Sequence, residues 1–414
     1  MRGIDTLYSS LQQEVMKFTI NNDFFMLINH GAKRSGKTVI DNDIFLFELK
    51  RVRREADKAQ VPLPQYILAG ADLSSIQRNV LNELTNKYGI EFKFDKYNRF
   101  QLFGVLVCCF GHSKINDLGR IRGMTAWGAY INEATVANEQ VFDEIKSRCS
   151  APGARIVMDT NPDRPGHWLK TDYIDRADQK TIAQFHWKLT DNTFLTQRYI
   201  DSIKSSTPSG VFYDRDIEGR WVSAEGIVYP DFNRDVHYIH TEDVPEIVKY
   251  WAGQDFGWEH PGALVLIGES ENGCLYLLKE WSAKHRNIDD WIDIIKNLQK
   301  KIGDITIYCD SARPDLINDM QCSGLNAVNA HKDVVAGIGE VATDFKQRRL
   351  YVVEENVDLF KKEIETYCWK DGADEPVKID DDVMDAMRYA IYSEKVERGE
   401  SAVFNDADYL RGGW

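Results

Sequence analysis

Several features are scarce or missing in this 414-residue sequence, and each absence excludes a class of protein. Seven cysteines without a C-x-x-C pair favour free thiols in a reducing compartment over a disulfide scaffold or a cysteine-ligated zinc site. The longest apolar run, around residues 105–110, is too short to cross a bilayer, and no charged-then-apolar signal segment opens the chain. No internal repeat or low-complexity tract is present. We expect a soluble globular protein in which any metal is held by carboxylates.

Basic residues are also fewer than acidic residues in this sequence. The sequence has 51 Lys and Arg against 65 Asp and Glu, which gives a formal net charge of −14. This charge argues against a protein that coats nucleic acid over its whole surface, but it is compatible with a DNA-handling enzyme that has a local basic groove. The length predicts two or three domains, and an apolar content of 43% is enough for their cores.

A phosphate-binding loop is the most specific motif that is present. Residues 31–38 read G-x-x-x-x-G-K-T and directly follow an apolar run that predicts a strand. In such a loop the glycines let consecutive backbone N–H groups face the β-phosphate. Lys37 places its charge on the β- and γ-phosphate oxygens, and Thr38 offers its hydroxyl to Mg²⁺. The loop therefore predicts binding of a nucleoside triphosphate together with Mg²⁺, and ATP is the nucleotide expected from the motifs that follow.

A catalytic acid for ATP hydrolysis is predicted at the end of a second strand. The run 127–134 is a short apolar segment that reaches Glu133, whose carboxylate could polarise the water that attacks the γ-phosphate. The position before it usually carries an Asp that holds the metal, and here it is Asn132. An amide oxygen carries less charge, so the expected hold on Mg²⁺ is weaker. An ordinary buried strand with a solvated Glu is the alternative.

Further candidates for the ATP site follow the strand predicted at 154–160. Asn161 would lie at its carboxyl end, where it could sense the γ-phosphate, and a simple Asn-Pro turn is an equal alternative. Arg34 in the loop and Arg148 are both candidates for an arginine finger, with a structural salt bridge as the alternative for each. The expected nucleotide-binding residues are Gly31, Arg34, Ser35, Gly36, Lys37, Thr38 and Asn161.

In the second half of the chain, acids follow the order of elements in a ribonuclease H-like domain. Asp255 is predicted on the first of three strands, Asp310 at the end of a later strand, and Asp382 and Asp385 on one face of the last helix. Hard oxygen ligands of this kind can hold two Mg²⁺ or Mn²⁺ ions, about 4 Å apart, for hydrolysis of a phosphodiester. For any one acid, a helix cap or a solvated charge is the alternative.

Together these motifs resemble the large terminase subunit of tailed double-stranded DNA bacteriophages over nearly the whole chain. The most specific pieces are residues 31–38, 131–134, 254–257 and 381–389. The resemblance implies an α/β protein with a P-loop ATPase domain, a helical lid and a ribonuclease H-like nuclease domain. In the family the acid-rich helix often carries Asp-His before its final Asp. Here Asp382 stands at the His position, which leaves the metal preference open.

Domain bounds and site residues follow from this reading. We expect an ATPase domain at 1–165, a helical lid and linker at 166–230, a nuclease domain at 231–400 and a loose tail at 401–414. The expected catalytic residues are Arg34, Glu133, Asp255, Asp310 and Asp385, and the expected metal ligands are Thr38, Asp255, Asp310, Asp382 and Asp385.

The resemblance also implies partners and a place of action. The family docks on the portal of an empty procapsid in the host cytoplasm, pumps double-stranded DNA inward with ATP and cuts the concatemer. A homo-oligomeric ring on the portal is implied, with a monomer as an alternative for the isolated chain, and no membrane is involved. The resemblance also implies a separate small terminase subunit that selects the DNA. We expect no N-terminal recognition domain in this chain, since few residues precede the phosphate loop.

Two other functions remain open at this level. A helicase or repair translocase would use the same ATP site without a portal, and strand separation would distinguish it from a packaging motor. A nuclease-dead assembly protein would retain the fold, and cleavage of plasmid DNA with Mn²⁺ would exclude it.

Overall fold

The computed structural model describes residues 7–400, so the tail predicted at 401–414 lies outside the described residues. The chain divides into two compact units. The first comprises Met1–Asp201 and Tyr213–Val222, and the second comprises Ser202–Phe212 and Ser223–Trp414. The domain bounds expected at 165 and 230 stay predictions. None of the helices in the described part is long and apolar enough to cross a membrane.

The first unit is built on a largely parallel sheet. Seven strands form it within the described residues, in the order β3-β4-β2-β5-β6-β1-β7, and β3 is antiparallel to β4. The strands are β1 Met26–Gly31, β2 Gln65–Gly70, β3 Arg99–Leu102, β4 Val105–Gly111, β5 Ala126–Ile131, β6 Arg155–Thr160 and β7 Ile182–Trp187. β1, β5 and β6 are buried along their whole length, as expected for inner strands of a parallel sheet that is covered on both faces. β7 lies in the segment predicted as a helical lid and pairs with β1.

Helices cover both faces of this sheet. Tyr66 and Leu68 of β2 pack in one apolar cluster with Phe45, whereas Ile67 packs in a second cluster with Phe142. This alternation is the two-residue period of a strand with a core on each side. The α-helices before and at the division between the units are α1 Ser10–Asn21, α2 Lys37–Lys58, α3 Leu73–Ile76, α4 Asn82–Tyr88, α5 Leu118–Ile121, α6 Glu139–Arg148, α7 Gln197–Ser206 and α8 Val211–Asp216. π-Helical segments lie at Gln77–Leu81 and Lys170–Ile174.

The second unit contains a mixed sheet. Its order is β13-β12-β9-β10-β11-β14-β8, with β10 antiparallel to both β9 and β11 and the other neighbouring pairs parallel. The strands are β8 Tyr238–Ile239, β9 Ile247–Asp255, β10 Gly262–Ser270, β11 Leu275–Ala283, β12 Thr306–Cys309, β13 Asn326–Asn329 and β14 Leu350–Val353. The three antiparallel strands followed by a helix and a parallel strand confirm the predicted ribonuclease H-like order.

One helix of this unit is almost completely enclosed. The helices are α9 Arg234–His237, α10 Ile288–Ile302, α11 Pro314–Cys322, α12 Val334–Lys346, α13 Phe360–Thr366 and α14 Asp382–Glu397. α14 packs against β9, β10 and α12, and its residues from 382 to 394 are all buried. The approach to β9 is very close at Gly253, where an added Cβ would lie 2.0 Å from the Ala386 carbonyl oxygen. Glycine at 253 therefore allows the acids of α14 to lie beside the end of β9.

Candidate functional site

The phosphate-binding loop connects β1 directly to α2. β1 ends at Gly31 and α2 begins at Lys37, with Gly36 at φ +94° as its N-cap residue. Gly31 has φ +142°, and an added Cβ there would lie 2.0 Å from the Trp187 carbonyl oxygen. Both glycines therefore adopt backbone that suits glycine alone, and the loop leads into the positive end of a 22-residue helix.

Lys37 lies inside this loop rather than in solvent. Its Nζ donates to the carbonyl oxygens of Gly31 at 2.9 Å and Ala32 at 2.6 Å, and to Asn161 Oδ1 at 3.2 Å. A contact to Ser35 Oγ at 3.3 Å completes the set. Burial lowers the pKa of Lys37 to about 8, because an ammonium group loses solvation there. The structure thus brings Lys37, Ser35 and Asn161 of the predicted site together.

Two side chains that the motif does not contain hold the loop from outside. Gln12 of α1 donates Nε2 to the Gly36 carbonyl at 3.0 Å, and Asn192 donates Nδ2 to the Arg34 carbonyl at 2.8 Å. Ser9 and Gln12 form a capping box at the start of α1, and both reciprocal bonds are present. The spacing of Ser9 and Gln12 is a signal that could have indicated the start of this helix, but not the second bond of Gln12 to the loop.

Glu133 lies two residues after the end of β5 and is half-buried. Its backbone N–H donates to Asp159 Oδ1 at 2.9 Å, and its φ of +58° is left-handed. The preceding Asn132 is 1% exposed and uses both ends of its amide: Nδ2 donates to Asp159 at 2.9 Å, and Oδ1 accepts from Asn79 at 3.0 Å. The acid Asp159 therefore joins the two residues at the end of β5, a role that sequence reasoning missed.

The two arginine-finger candidates differ in their surroundings. Arg34 is exposed in the phosphate loop at φ +58°. Arg148 lies at the end of α6, where its Nε is 3.0 Å from Glu144 Oε1. The salt-bridge alternative is therefore present for Arg148, and Arg34 is the candidate that lies in the loop.

In the second unit the four predicted acids lie around one end of the sheet. β9 ends at Asp255, Asp310 directly follows β12, and the register pairs Gln254 with Cys309, so these two acids are neighbours across the strands. Asp382 and Asp385 lie in the first turn of α14. Burial, with the charges of Asp385, Asp310 and Asp382 added to it, raises the pKa of Asp255 to about 8.

Each of the other three acids is matched by a cationic or titratable partner. Lys332 pairs with Asp310. His260 Nδ1 lies 2.5 Å from Asp382 Oδ1. Asp385 accepts from Lys378 Nζ at 2.7 Å and from Arg388 at 2.8 Å. Although burial opposes it, these two cations lower the pKa of Asp385.

A divalent cation matches the chemistry of these donors. The carboxylate oxygens are the hard ligands that Mg²⁺ and Mn²⁺ prefer, and their mutual repulsion at Asp255 is what a cation would relieve. Among residues 7–400 no group of three or more His, Cys, Asp or Glu side chains is arranged to hold a metal ion. Lysine, arginine and histidine side chains balance the acids in this conformation.

A buried glutamate fixes the start of the acid-bearing helix. Glu363 of α13 is fully buried, and its Oε2 accepts from the backbone N–H groups of Val383 at 2.8 Å and Met384 at 3.1 Å. This carboxylate satisfies two donors of the first turn of α14. Sequence reasoning did not find it, because Glu363 lies 20 residues from its partner Val383.

The raised pKa of Asp255 predicts how stability depends on pH. A carboxyl that titrates near 3.8 in the unfolded chain and at about 8 in the folded one keeps its proton longer when folded. Its contribution to stability is therefore greatest below about pH 4 and falls as the pH rises towards 8. We expect Asp255→Asn to raise the melting temperature in EDTA at pH 8, on the order of 2–4 °C, with little change at pH 4. Parallel melting profiles for parent and variant across this range would contradict it.

Comparisons with known proteins identify the family of each domain. The family model for the N-terminal domain of the T4-like type of terminase large subunit matches residues 31–235, and the model for the terminase RNaseH-like domain matches residues 252–394. No curated protein matches the chain.

Solved structures of the large terminase from a thermophilic bacteriophage are similar over almost the whole chain. One crystal form has a TM-score of 0.79 at 25% identity and covers 94% of this chain and 99% of that one. A complex with ADP has a TM-score of 0.76 at 25% identity, with 94% and 100% covered. A complex with ATP-γ-S has 0.74 at 25%, with 96% and 100% covered. The chain therefore belongs to the large terminase subunit family, with a P-loop ATPase domain followed by a ribonuclease H-like domain.

Proposed function

We propose that this protein is a viral DNA-packaging motor that hydrolyses ATP to move double-stranded DNA into a procapsid and cuts the DNA concatemer with a metal-dependent nuclease. The observation that carries this proposal is the phosphate loop, in which the buried Lys37 contacts Asn161 at the end of a neighbouring strand. The related large terminase of the thermophilic bacteriophage was solved with ADP and with ATP-γ-S, which supports ATP as the nucleotide.

In the ATPase domain, each group has a role that its chemistry suits. Lys37 neutralises charge on the β- and γ-phosphates. The hydroxyl of Thr38, in the first turn of α2, would bind the Mg²⁺ that accompanies the nucleotide. Glu133 orients and polarises the attacking water, and Asn161 senses the γ-phosphate. Arg34 supplies positive charge to the transition state. The backbone N–H groups of Gly31, Ser35 and Gly36 complete the phosphate cradle.

In the nuclease domain, the acids would hold Mg²⁺ or Mn²⁺. Asp255, Asp310 and Asp385 are the ligands that we assign to cleavage, with two ions as the expected number. The bound ions would supply the activated water and stabilise the leaving oxygen. Arg388 and Glu363 orient the first turn of α14, through Asp385 and through the backbone respectively.

The remaining partners follow from the family. We propose a ring of copies on the portal of the procapsid in the host cytoplasm, with a small terminase subunit that selects the DNA. For the isolated chain a monomer is an alternative to this ring.

A variant of Asp382 tests its part in the nuclease site. Asp382 is 3% exposed and contacts His260. Asp382 lies one turn before Asp385, so we expect it to contact the metal through a water molecule rather than as a direct ligand. We expect Asp382→Asn to slow plasmid nicking by about tenfold or less and to recover partly at higher Mn²⁺. A metal titration that superimposes on that of the parent would reduce Asp382 to a structural residue.

Comparison of basal and stimulated ATP turnover tests the motor itself. Because the proposed motor works as a ring on the portal, we expect slow hydrolysis by the isolated chain and at least about tenfold faster turnover with DNA and portal-bearing procapsids. The same preparations are assayed for separation of a labelled duplex. Strand separation without any effect of procapsids would favour a helicase or repair translocase instead.

A further inference from the structure

Asp159 is a buried acid that lies between the two halves of the ATP site. It belongs to β6, which pairs with β1 on one side and with β5 on the other. The register sets Ile131 opposite Met158, so Asn132 and Asp159 follow as neighbours at the ends of their strands. Asp159 is 2% exposed. Its carboxylate therefore lies inside the protein, on the strand next to the phosphate loop.

Asp159 contacts the proposed catalytic acid Glu133 and residues just before it in the chain. Oδ1 accepts from Asn132 Nδ2 and from the Glu133 backbone N–H, both at 2.9 Å, and Oδ2 accepts from the Tyr130 hydroxyl at 3.4 Å. A non-glycine residue at φ +58° is costly for Glu133 and persists only when its surroundings hold it. The hydrogen bond from the Glu133 backbone N–H to Asp159 stabilises this conformation.

Asp159 also supplies charge to the phosphate loop. It is the foremost of the acids that oppose the effect of burial on Lys37, ahead of Asp41. Asp41 is itself a buried carboxyl, but burial followed by the charge of Asp159 raises its pKa well above the usual range.

We propose that Asp159 takes over, from the neighbouring strand, the acidic role that Asn132 cannot fill: it positions Glu133 through its backbone N–H and supplies the negative charge that favours the nucleotide-bound Mg²⁺. This inference rests on the proposed ATPase activity. It makes Asp159 a positioning residue, since its contacts reach the site through Asn132 and Glu133.

Asp159→Asn separates charge from hydrogen bonding. The amide oxygen can accept the same two bonds as Oδ1, and its NH₂ group faces the Tyr130 hydroxyl, which can accept. A purely structural role would therefore survive this change. We measure binding of a fluorescent ATP analogue to the full chain against Mg²⁺ concentration, and kcat and KM for ATP. We expect the Mg²⁺ requirement for tight binding to rise by at least about tenfold, with Mg²⁺-free binding within about twofold of the parent.

Asp41→Asn is the matched control. It removes a buried carboxyl of the same size, whose Oδ1 accepts from Asn29 at 2.7 Å, without touching Asn132 or Glu133. We expect its Mg²⁺ titration to follow that of the parent. Superimposable titrations for the parent and Asp159→Asn, or equal losses in both variants, would overturn the inference. Circular dichroism and melting curves identify a variant that fails to fold. If Asp159→Asn fails to fold, Asp159→Glu replaces it in the test. Because Asp159→Glu keeps the charge, it must bind the ATP analogue at the same Mg²⁺ concentration as the parent.

Lys37→Ala separates this inference from the proposed function. If Lys37→Ala hydrolyses ATP like the parent, the ATPase assignment itself fails. If Lys37→Ala is inactive while Asp159→Asn behaves like the parent, only the role of Asp159 is contradicted.

Discussion

Replacement of Lys37 by alanine is expected to lower ATP turnover by at least ~10²-fold and to leave DNA cleavage within about twofold of the parent. Lys37 is 5% exposed, and its ammonium group lies within hydrogen-bonding distance of the loop carbonyls and of Asn161. Alanine removes the charge that the proposal assigns to the phosphates. The acids assigned to cleavage belong to a separate compact unit, so they keep their surroundings.

Lys33 provides a control of the same residue type in the same loop. Its side chain is 59% exposed and its Nζ lies 3.0 Å from Asp216, so Lys33→Ala should change turnover by about threefold or less. Steady-state phosphate release gives turnover, and nicking of plasmid DNA gives cleavage. Normal turnover in Lys37→Ala would refute the ATPase assignment, and equal losses in both variants would show that the loop tolerates no change of charge.

Asp385→Ala is expected to reduce DNA cleavage by at least ~10²-fold while ATP turnover stays within about twofold of the parent. Asp385 is 5% exposed beside Asp255 and accepts from Lys378 and Arg388. The substitution removes a proposed metal ligand and leaves the buried Arg388 without its carboxylate. Asp255→Ala and Asp310→Ala are expected to lose cleavage to a similar degree.

An exposed acid outside the cluster serves as the control for this series. Asp319 lies on the solvent side of α11, and Asp319→Ala should nick plasmid DNA like the parent. Because loss of Asp385 could weaken folding, melting curves accompany each assay, and Asp385→Asn repeats the test with a side chain of equal size. Full cleavage by folded Asp385→Asn and Asp385→Ala would contradict the assignment of Asp385 to the nuclease site.

The sequence predicted the parts of both sites that depend on local pattern. The phosphate loop has a fixed spacing of glycines and lysine, and Asp255 and Asp310 close apolar runs that are recognisable as strands. Because parallel strands end at the same edge of a sheet, such residues were expected to be neighbours. The fold class is confirmed, whereas the roles of the individual residues stay predictions until the variants are measured.

The parts that the sequence did not reveal depend on long-range packing. In the sequence, Asp159 lies near the end of one more predicted strand. Only the pairing register of β5 and β6 shows that it lies beside Asn132. Glu363 and Lys378 reach α14 from outside the helix, and no periodicity links them to it. β7 was missed as a strand because the segment around it carries mainly helical spacing.

If ATP hydrolysis in the first unit drives DNA into a procapsid, the packaged DNA should be protected from added nuclease. Purified procapsids with their own portal are mixed with linear double-stranded DNA, ATP and the parent, Lys37→Ala or Asp385→Ala protein. We expect ATP-dependent protection with the parent and with Asp385→Ala, since linear DNA needs no initial cut, and none with Lys37→Ala. Protection that is independent of ATP, or equal with Lys37→Ala, would contradict it.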